Sequence, residues 1–214
     1  MGRKFYVVWE GRHPGIYEDW EDVLEQVEHF PGAKYKSFTS ENDAVAAYRQ
    51  YMNSAEIPLG DILLQASETD RSLGYLAFPE IDLDGWAVDA SCLGNPGKME
   101  YRAVELATGR EIFRVGPYED ATNNIGEFLA IVHALALQFK EGKRHTIYSD
   151  SRTGMAWVRN RQVKTKLQPT PRNAKVFQLI QRALTWLHPH SYSTPILKWQ
   201  TELWGEIPAD FNRK

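Results

Sequence analysis

The pattern of hydrophobic and polar positions in the first fifty residues predicts a small unit of alternating strands and helices. Runs of apolar and aromatic residues predict strands at 5–9 and 33–38. Asp19 can open a first helix, in which apolar residues recur at helical spacing. Ser40, with Asp43 three residues later, can open a second helix as an acidic variant of the capping box. This part of the chain is therefore expected to be a complete miniature α/β unit.

From Gly85 onward the pattern predicts a longer series of strands and helices. The predicted strands span residues 86–89, 99–106, 111–115 and 145–149. An apolar stripe from Ile125 to Phe139 predicts a long helix, and further helices are predicted at 153–160 and 174–188. Residues 199–214 are expected to be irregular with a short helical end. The expected architecture is a mixed sheet flanked by helices.

Charge separates the chain into three predicted zones: residues 1–52, an acidic linker at 53–84, and residues 85–214. Residues 51–84 contain one Lys or Arg and seven Asp or Glu, which is typical of a linker. Residues 85–214 contain eighteen basic and twelve acidic residues. This basic excess favours a polyanionic partner for the C-terminal zone.

Composition also bears on the cellular compartment. Cys92 is the single cysteine, so an internal disulfide is excluded. The N-terminal apolar run is too short for a signal peptide, and no later run approaches the length of a membrane span. A cytoplasmic protein without membrane association is expected.

Four acidic residues in the second half of the chain are candidates for a metal site: Asp89, Glu127, Asp150 and Asp210. Asp89 and Asp150 stand on or at the end of predicted strands. Carboxylates that converge on one point raise one another's pKa, and hard divalent cations neutralise them. The set therefore predicts two-metal phosphoryl chemistry.

Each candidate also has a plainer interpretation. Asp89 could be an acid beside a turn, and Asp150 could cap the following helix. Asn124 and Glu127 fit a helix N-cap with its reciprocal acid three residues later. Asp210 could be solvated and have no role. The residues alone leave these alternatives open.

The motifs around the four acids resemble type 1 ribonuclease H over the C-terminal 130 residues. The matching segments are VDASCLGNPG (88–97), TNNIGEFLA (122–130), YSDS (148–151), TPILKWQ (194–200) and WGEIPAD (204–210). Residues 4–51 separately resemble the small hybrid-binding domain found at the N-terminus of many such enzymes. That resemblance rests on FYVVWEGR (5–12), PGIY (14–17), Trp20 and FPGAKYKSF (30–38).

The resemblance implies a ribonuclease H-like mixed five-stranded sheet flanked by helices, preceded by a small α/β hybrid-binding domain. It implies two divalent ions, Mg²⁺ or Mn²⁺, with Asp89 as the carboxylate that bridges both. The implied metal ligands are Asp89, Glu127, Asp150 and Asp210. Glu206 is similar to a mobile acid that helps product and metal leave in some members. Other members carry a histidine there, so His188 and His190 are alternative candidates.

The resemblance also implies the residues that contact nucleic acid. Asn95, Asn123 and Asn124 would contact the 2′-hydroxyls of an RNA strand. A pocket for a DNA phosphate would be formed by Thr122, Asn124, Thr165 and Lys166. The basic run beside it comprises Arg159, Arg161, Lys164 and Lys166. In the N-terminal domain the matching hybrid-binding residues are Tyr6, Trp20, Tyr35 and Lys36, although this domain is acidic overall and Trp20 could instead belong to its core.

These implications define the expected activity: a monomeric endoribonuclease that hydrolyses the RNA strand of RNA/DNA hybrids and leaves 5′-phosphate and 3′-hydroxyl ends. Double-stranded RNA is a further candidate partner. The first alternative is a hybrid-binding or double-stranded-RNA-binding protein whose nuclease fold is weak or inactive. The second keeps the fold but acts on DNA junctions or transposon ends. The four acids argue against the first alternative, and the Thr122-Asn-Asn124 motif argues against the second.

Overall fold

A computed structural model describes residues 4–54, 75–76 and 78–211, and the backbone forms two compact units. The first unit contains the described residues up to Glu80 together with Glu202–Gly205. The second contains Ile81–Thr201 and the residues from Glu206 onward. Most of the proposed acidic linker, residues 55–74 and 77, lies outside the described residues. The domain boundaries at 52 and 84 therefore stay a prediction.

The first unit is the small α/β fold expected from the sequence. Its strands and helices are β1 (Phe5–Glu10), β2 (Gly15–Tyr17), α1 (Trp20–Val27), β3 (Lys34–Phe38) and α2 (Glu41–Ser54). Strand β1 is central and pairs antiparallel with β2 and β3. The expected cap is present on α2, where the backbone N–H of Asp43 donates to Ser40 Oγ over 3.4 Å. Strand β2 was not predicted, because it has only three residues and its first, Gly15, belongs to a Pro-Gly pair that is typical of a turn.

The second unit contains a five-stranded mixed sheet with flanking helices, which confirms the fold class expected from the sequence. Its strands are β4 (Trp86–Gly94), β5 (Gly97–Glu105), β6 (Glu111–Ala121), β7 (Ile147–Ser149) and β8 (Ile196–Lys198). The order is β6-β5-β4-β7-β8, with antiparallel pairing on the β5 side of β4 and parallel pairing on the β7 side.

The remaining helices are α3 (Asn123–Glu141), α4 (Arg152–Arg159), α5 (Ala174–Leu187) and α6 (Thr201–Trp204). Within the part of the chain that the structure describes, none of the helices is both long and apolar enough to cross a membrane.

Helix α3 packs closely on the central strand of the sheet. Ile125 and Phe128 are fully buried against Val88 and Ala90 in one apolar core. Gly126 lies at the closest approach, where an added Cβ would stand 2.6 Å from the Cβ of Ala90. A side chain with a Cβ would clash there, so glycine at position 126 allows the start of α3 to lie this close to β4.

Two strand predictions were incomplete. Strand β6 continues from Glu111 to Ala121, through Gly116-Pro117 and beyond the predicted end at residue 115. Because β6 is an edge strand, Pro117 can be accommodated without costing the sheet a central hydrogen bond. Strand β8 was not predicted. Its three residues are only half-buried and too few to show an alternation pattern.

Candidate active site

Strand β4 places the first candidate ligand, Asp89, in the middle of the sheet. The neighbouring Val88 and Ala90 belong to the core under α3, whereas Asp89 points to the other side of the strand, as alternation requires. The side chain of Asp89 is buried, with 6% of its surface exposed. A carboxylate so placed is costly unless it is protonated, paired or bound to a metal.

Helix α3 supplies Glu127, which is 3% exposed. The helix begins at Asn123 after Thr122, whose side chain makes no capping hydrogen bond. Glu127 is thus the fifth helical residue, and the alternative of a capping box formed with Asn124 is wrong. Glu127 Oε1 accepts a hydrogen bond of 3.1 Å from Asn123 Nδ2. Its Oε2 is buried and has no hydrogen-bond partner among the described residues.

Asp150 follows directly on β7, the strand that runs parallel to β4. The register pairs Val88 with Ser149, so the residues that follow them, Asp89 and Asp150, lie next to each other at this point of the two parallel strands. The cap of helix α4 is Ser151, whose Oγ accepts a hydrogen bond of 3.1 Å from the backbone N–H of Gly154. Asp150 is therefore not the residue that caps this helix.

These three carboxylates converge. Asp89, Glu127 and Asp150 each offer an oxygen, and the three oxygens lie within 4.8 Å of one another. Three converging carboxylate oxygens fit a hard divalent cation such as Mg²⁺ or Mn²⁺. Glu127 Oε2, which accepts no hydrogen bond from the described residues, is available as a further ligand atom. The geometry of the acids is therefore that of a candidate metal centre.

Burial and mutual repulsion shift the acids toward their protonated forms. The pKa of Asp89 is raised to about 7, mainly by burial and next by the charge of Asp150, with hydrogen bonding to Glu127 opposing the rise. Burial, followed by the charges of Asp89 and Asp150, raises the pKa of Glu127 well above its usual value. Burial also raises the pKa of Asp150, while the nearby Lys198 lowers it. A divalent cation would relieve this repulsion by pairing with the charged forms.

Asp210 and Glu206 lie close enough to influence these acids, although neither belongs to the group of three converging oxygens. The negative charge of Asp210 contributes to the raised pKa of both Asp89 and Asp150. The charge of Glu206, which is an exposed residue, contributes to that of Asp150. The structure thus brings the C-terminal acids to the neighbourhood of the centre.

Lys198 is a residue near the centre that the sequence did not suggest. It stands on β8 opposite Ser149, one position before Asp150, and its charge lowers the pKa of Asp150. Only a correct prediction of the short strand β8 and of its parallel pairing with β7 could have placed it there.

The candidate substrate contacts occupy exposed or half-buried positions. Asn95 lies in the exposed turn between β4 and β5, and Asn123 and Asn124 are exposed at the start of α3. Thr122 precedes them and is half-buried. The amide of Asn123 already donates to Glu127, so this side chain links the start of the helix to the carboxylates.

The proposed phosphate-pocket residues Thr165 and Lys166 lie in the loop between α4 and α5. Thr165 is half-buried and its Oγ1 accepts from the backbone of Leu167, while Lys166 is exposed. A buried asparagine, Asn173, ties the loop to the strand that leads into Thr122: its Nδ2 donates to Gln168 O over 3.0 Å and to Asp120 O over 3.3 Å. Sequence reasoning did not single out Asn173.

Three of the four expected hybrid-binding residues form one aromatic row in the first unit. Trp20 lies between Tyr6 and Tyr35, with ring centroids 5.6 Å and 5.8 Å away. Trp20 is 44% and Tyr35 46% exposed, so Trp20 is not the core residue of the alternative interpretation. Lys36 follows Tyr35 on β3 and so points to the opposite face, where its Nζ lies 5.4 Å from the ring centre of Phe38.

Comparison with known proteins agrees with both parts of the structure. Residues 85–195, more than half of the chain, match the family described as RNase H, and the chain belongs to this family. Residues 4–48 match the family described as Ribonuclease H1 N-terminal domain. The type 1 ribonuclease H resemblance seen in the sequence is therefore confirmed.

Individual relatives match over shorter segments. The chain is 44% identical over 64 residues to a Ribonuclease H of Neorickettsia sennetsu, covering 29% of this chain and 42% of the relative. It is 41% identical over 85 residues to a Ribonuclease H of Nitratidesulfovibrio vulgaris, covering 40% and 51%. The chain thus matches about half or less of the length of these relatives. The solved structure of RNase H1 from Halobacterium salinarum shares 18% identity at a TM-score of 0.36, covering 58% of this chain and 91% of that one.

Proposed function

We propose that this chain is an endoribonuclease that hydrolyses the RNA strand of RNA/DNA hybrids with two divalent metal ions, Mg²⁺ or Mn²⁺, leaving 5′-phosphate and 3′-hydroxyl ends. The observation that carries the proposal is the convergence of Asp89, Glu127 and Asp150, whose carboxylate oxygens lie within 4.8 Å of one another. Membership in the ribonuclease H family supports the same activity.

The carboxylates are suited to bind metal and not to act as nucleophiles. Asp89 and Glu127 are buried, and their raised pKa values make the cluster unfavourable in its fully charged form without a cation. Glu127 Oε2, which has no partner among the described residues, is an available ligand atom. When bound, two divalent ions would activate water and stabilise the leaving 3′ oxygen in an in-line displacement.

Residues of the C-terminal segment would complete the site. Asp210 would serve as the fourth ligand, and its electrostatic influence on Asp89 and Asp150 supports a position beside them. Glu206 is exposed and influences Asp150, which suits an acid that assists release of product and metal.

The start of α3 would bind the RNA strand. Asn123 and Asn124 are exposed on the first turn, where free backbone N–H groups and the helix dipole favour phosphate. Asn123 also donates to Glu127, so a contact between the RNA strand and this turn would be coupled to the position of a metal ligand. Asn95 would contribute from the neighbouring β4–β5 turn.

Two further surfaces would recognise the DNA strand of the hybrid. Thr122, Asn124, Thr165 and Lys166 would hold a DNA phosphate, and the bonds of Asn173 to Asp120 O and Gln168 O support a fixed relation between the two segments that carry them. The row of half-buried Tyr6 with exposed Trp20 and Tyr35 would stack on the sugars and bases of a bound hybrid. Lys36 would contribute charge from the other face of β3.

An isosteric substitution of Asp89 distinguishes the proposed nuclease from a protein that only binds hybrid. We expect Asp89→Asn to abolish cleavage of the RNA strand while leaving the affinity for hybrid, measured by fluorescence anisotropy in chelator, within about threefold of wild type. Asp84→Asn removes the same charge from an exposed residue just before β4 and is the matched control. Full cleavage by Asp89→Asn, or tight hybrid binding without cleavage by the wild-type chain in Mg²⁺ or Mn²⁺, would show that the proposal is wrong.

A further inference from the structure

The segment that carries Asp210 has little regular structure of its own to fix it. After α6 ends at Trp204, the described chain to residue 211 contains no helix or strand. Ile207 and Ala209 are buried at 2% and 0% exposure, and the backbone N–H of Asp210 donates to Ile207 O over 2.8 Å. These contacts anchor the residues before Asp210 and its own backbone N–H.

Arg102 on β5 holds the peptide carbonyls on both sides of the Asp210 Cα. Its Nε donates to the carbonyl of Ala209 over 2.8 Å, and its Nη2 donates to the carbonyl of Asp210 over 2.6 Å. The two bonds hold consecutive carbonyl groups, one on each side of the Cα of residue 210. The rigid fork of a guanidinium can do this, whereas the single nitrogen of a lysine cannot reproduce the same geometry.

The remaining surfaces of the same guanidinium are also occupied. Its Cζ lies 4.9 Å from the ring centre of Phe211, and Nη1 lies 3.4 Å from Glu111 Oε2. The Arg102 side chain is only 19% exposed, so these bonds are largely shielded from water. Charge-assisted bonds in such a setting are stronger than those of a solvated arginine.

The position of Arg102 in the sheet links it to the metal centre. Arg102 is the direct cross-strand partner of Asp89 in the antiparallel β4–β5 register. Directly opposed residues project from the same face of a sheet. Arg102 therefore holds the backbone of Asp210 on the face of the sheet that carries the buried carboxylate of Asp89.

We propose that Arg102 is a positioning residue for the metal centre: it holds the Asp210 backbone so that the Asp210 carboxylate can complete the ligand set begun by Asp89, Glu127 and Asp150. The proposal rests on the proposed function in taking Asp210 as a metal ligand. Arg102 would not contact metal or substrate, and it would act only through Asp210. Residues that orient metal ligands commonly change metal affinity or activity about 10-fold to 100-fold when replaced.

The test is a double-mutant cycle on metal binding, made without nucleic acid. Mn²⁺ affinity is measured by titration calorimetry and electron paramagnetic resonance on the full chain. The proteins compared are wild type, Arg102→Met, Asp210→Asn and the double variant. We expect Arg102→Met to weaken Mn²⁺ binding at least about tenfold and to add no further loss in the Asp210→Asn background. If Arg102 only stabilised the fold, Arg102→Met would lower the melting temperature, and its effect on Mn²⁺ affinity would be the same in the wild-type and Asp210→Asn backgrounds.

Two further variants keep the test decisive. Arg102→Lys retains the charge and guards against misfolding of the methionine variant; we expect an intermediate affinity, because lysine can reach one carbonyl but not both. Arg110→Met removes an exposed arginine paired with Glu105 at the β5–β6 hairpin and should bind Mn²⁺ like wild type.

Several outcomes would overturn the proposal. They are unchanged Mn²⁺ affinity in Arg102→Met, an equal loss in the wild-type and Asp210→Asn backgrounds, wild-type affinity in Arg102→Lys, and absence of Mn²⁺ binding by the wild-type chain. The metal cycle needs no catalysis. A chain that binds Mn²⁺ with the expected pattern but leaves hybrids intact would therefore refute the proposed function and support the role of Arg102.

Discussion

Replacing the buried Asp89 carboxylate by an amide is expected to stabilise this protein when metal is absent. The folded state holds the proton of Asp89 more tightly than the unfolded chain, because burial and the charge of Asp150 raise its pKa to about 7. This group therefore contributes stability that is fully present below about pH 4 and is lost as the pH rises through about 7. Asn at this position cannot ionise and does not carry this cost.

The magnitude follows from the size of the pKa shift. A rise from 3.8 to about 7 corresponds to roughly 4 kcal/mol of unfolding free energy at slightly alkaline pH, at about 1.4 kcal/mol per unit. Spread over a chain of this size, such a difference moves the melting temperature on the order of 10 °C. At about pH 4, where Asp89 is protonated, Asp89→Asn and wild type should melt at nearly the same temperature.

The assay is thermal unfolding followed by circular dichroism in chelator, from about pH 4 to about pH 8, for wild type, Asp89→Asn and the exposed control Asp84→Asn. The control should stay within about 0.5 kcal/mol of wild type. Added Mg²⁺ should then raise the melting temperature of wild type at about pH 8 and have little effect on Asp89→Asn, because a ligand stabilises only the state that binds it. An Asp89→Asn variant that is no more stable than wild type at this pH would refute the electrostatic reasoning.

Three other substitutions test the supporting structure. Gly126→Ala places a Cβ 2.6 Å from that of Ala90, so we expect a loss of about 1–3 kcal/mol in urea unfolding and weaker Mn²⁺ binding as α3 shifts; wild-type stability and affinity would contradict the close approach. Asn173→Ala removes bonds within the α4–α5 loop and to β6 and should cost about 1–3 kcal/mol and raise the KM for hybrid, whereas an unchanged KM would separate the loop from substrate binding. Trp20→Ala should weaken hybrid binding in chelator about tenfold. Trp9→Ala, on the opposite face of β1, is the comparison variant, since Trp9 is half-buried and outside the aromatic row. Wild-type affinity in Trp20→Ala would show that the aromatic row does not bind hybrid.

Helix α3 and its buried residue Glu127 show how much of the site the sequence predicts. The apolar stripe from Ile125 to Phe139 correctly predicted α3, because a helix packed on a sheet needs such a face. The sequence left an alternative start for the helix, since Asn124 and Glu127 have the spacing of a capping box. The structure begins the helix at Asn123, two residues before the start that a cap at Asn124 would give, and it buries Glu127. The next turn is set by the close packing of Gly126 against Ala90. Local spacing does not contain that tertiary contact.

The residues around the acids were harder to predict than the acids themselves. Asp89 and Asp150 could be recognised because an acid on or after an apolar strand is unusual and because the motifs resemble a known family. Lys198 on β8 lowers the pKa of Asp150, and Arg102 on β5 donates a hydrogen bond to the backbone carbonyl of Asp210. Both contacts depend on the strand register and on the return of the chain at residues 206–211. The segment 99–106 also contains Glu100 and Glu105, so a basic residue at position 102 gave no distinct signal in the sequence.

The most direct test of the proposed activity is to identify which strand of a hybrid is cut and the ends that remain. An RNA/DNA hybrid labelled on both strands is incubated with the wild-type chain in Mg²⁺, Mn²⁺ or chelator, beside RNA/RNA and DNA/DNA duplexes. We expect only the RNA strand of the hybrid to shorten, only with metal, and to leave 5′-phosphate and 3′-hydroxyl ends. Shortening of the DNA strand, cleavage in chelator, or products ending in cyclic phosphate would contradict the proposed metal-dependent hydrolysis.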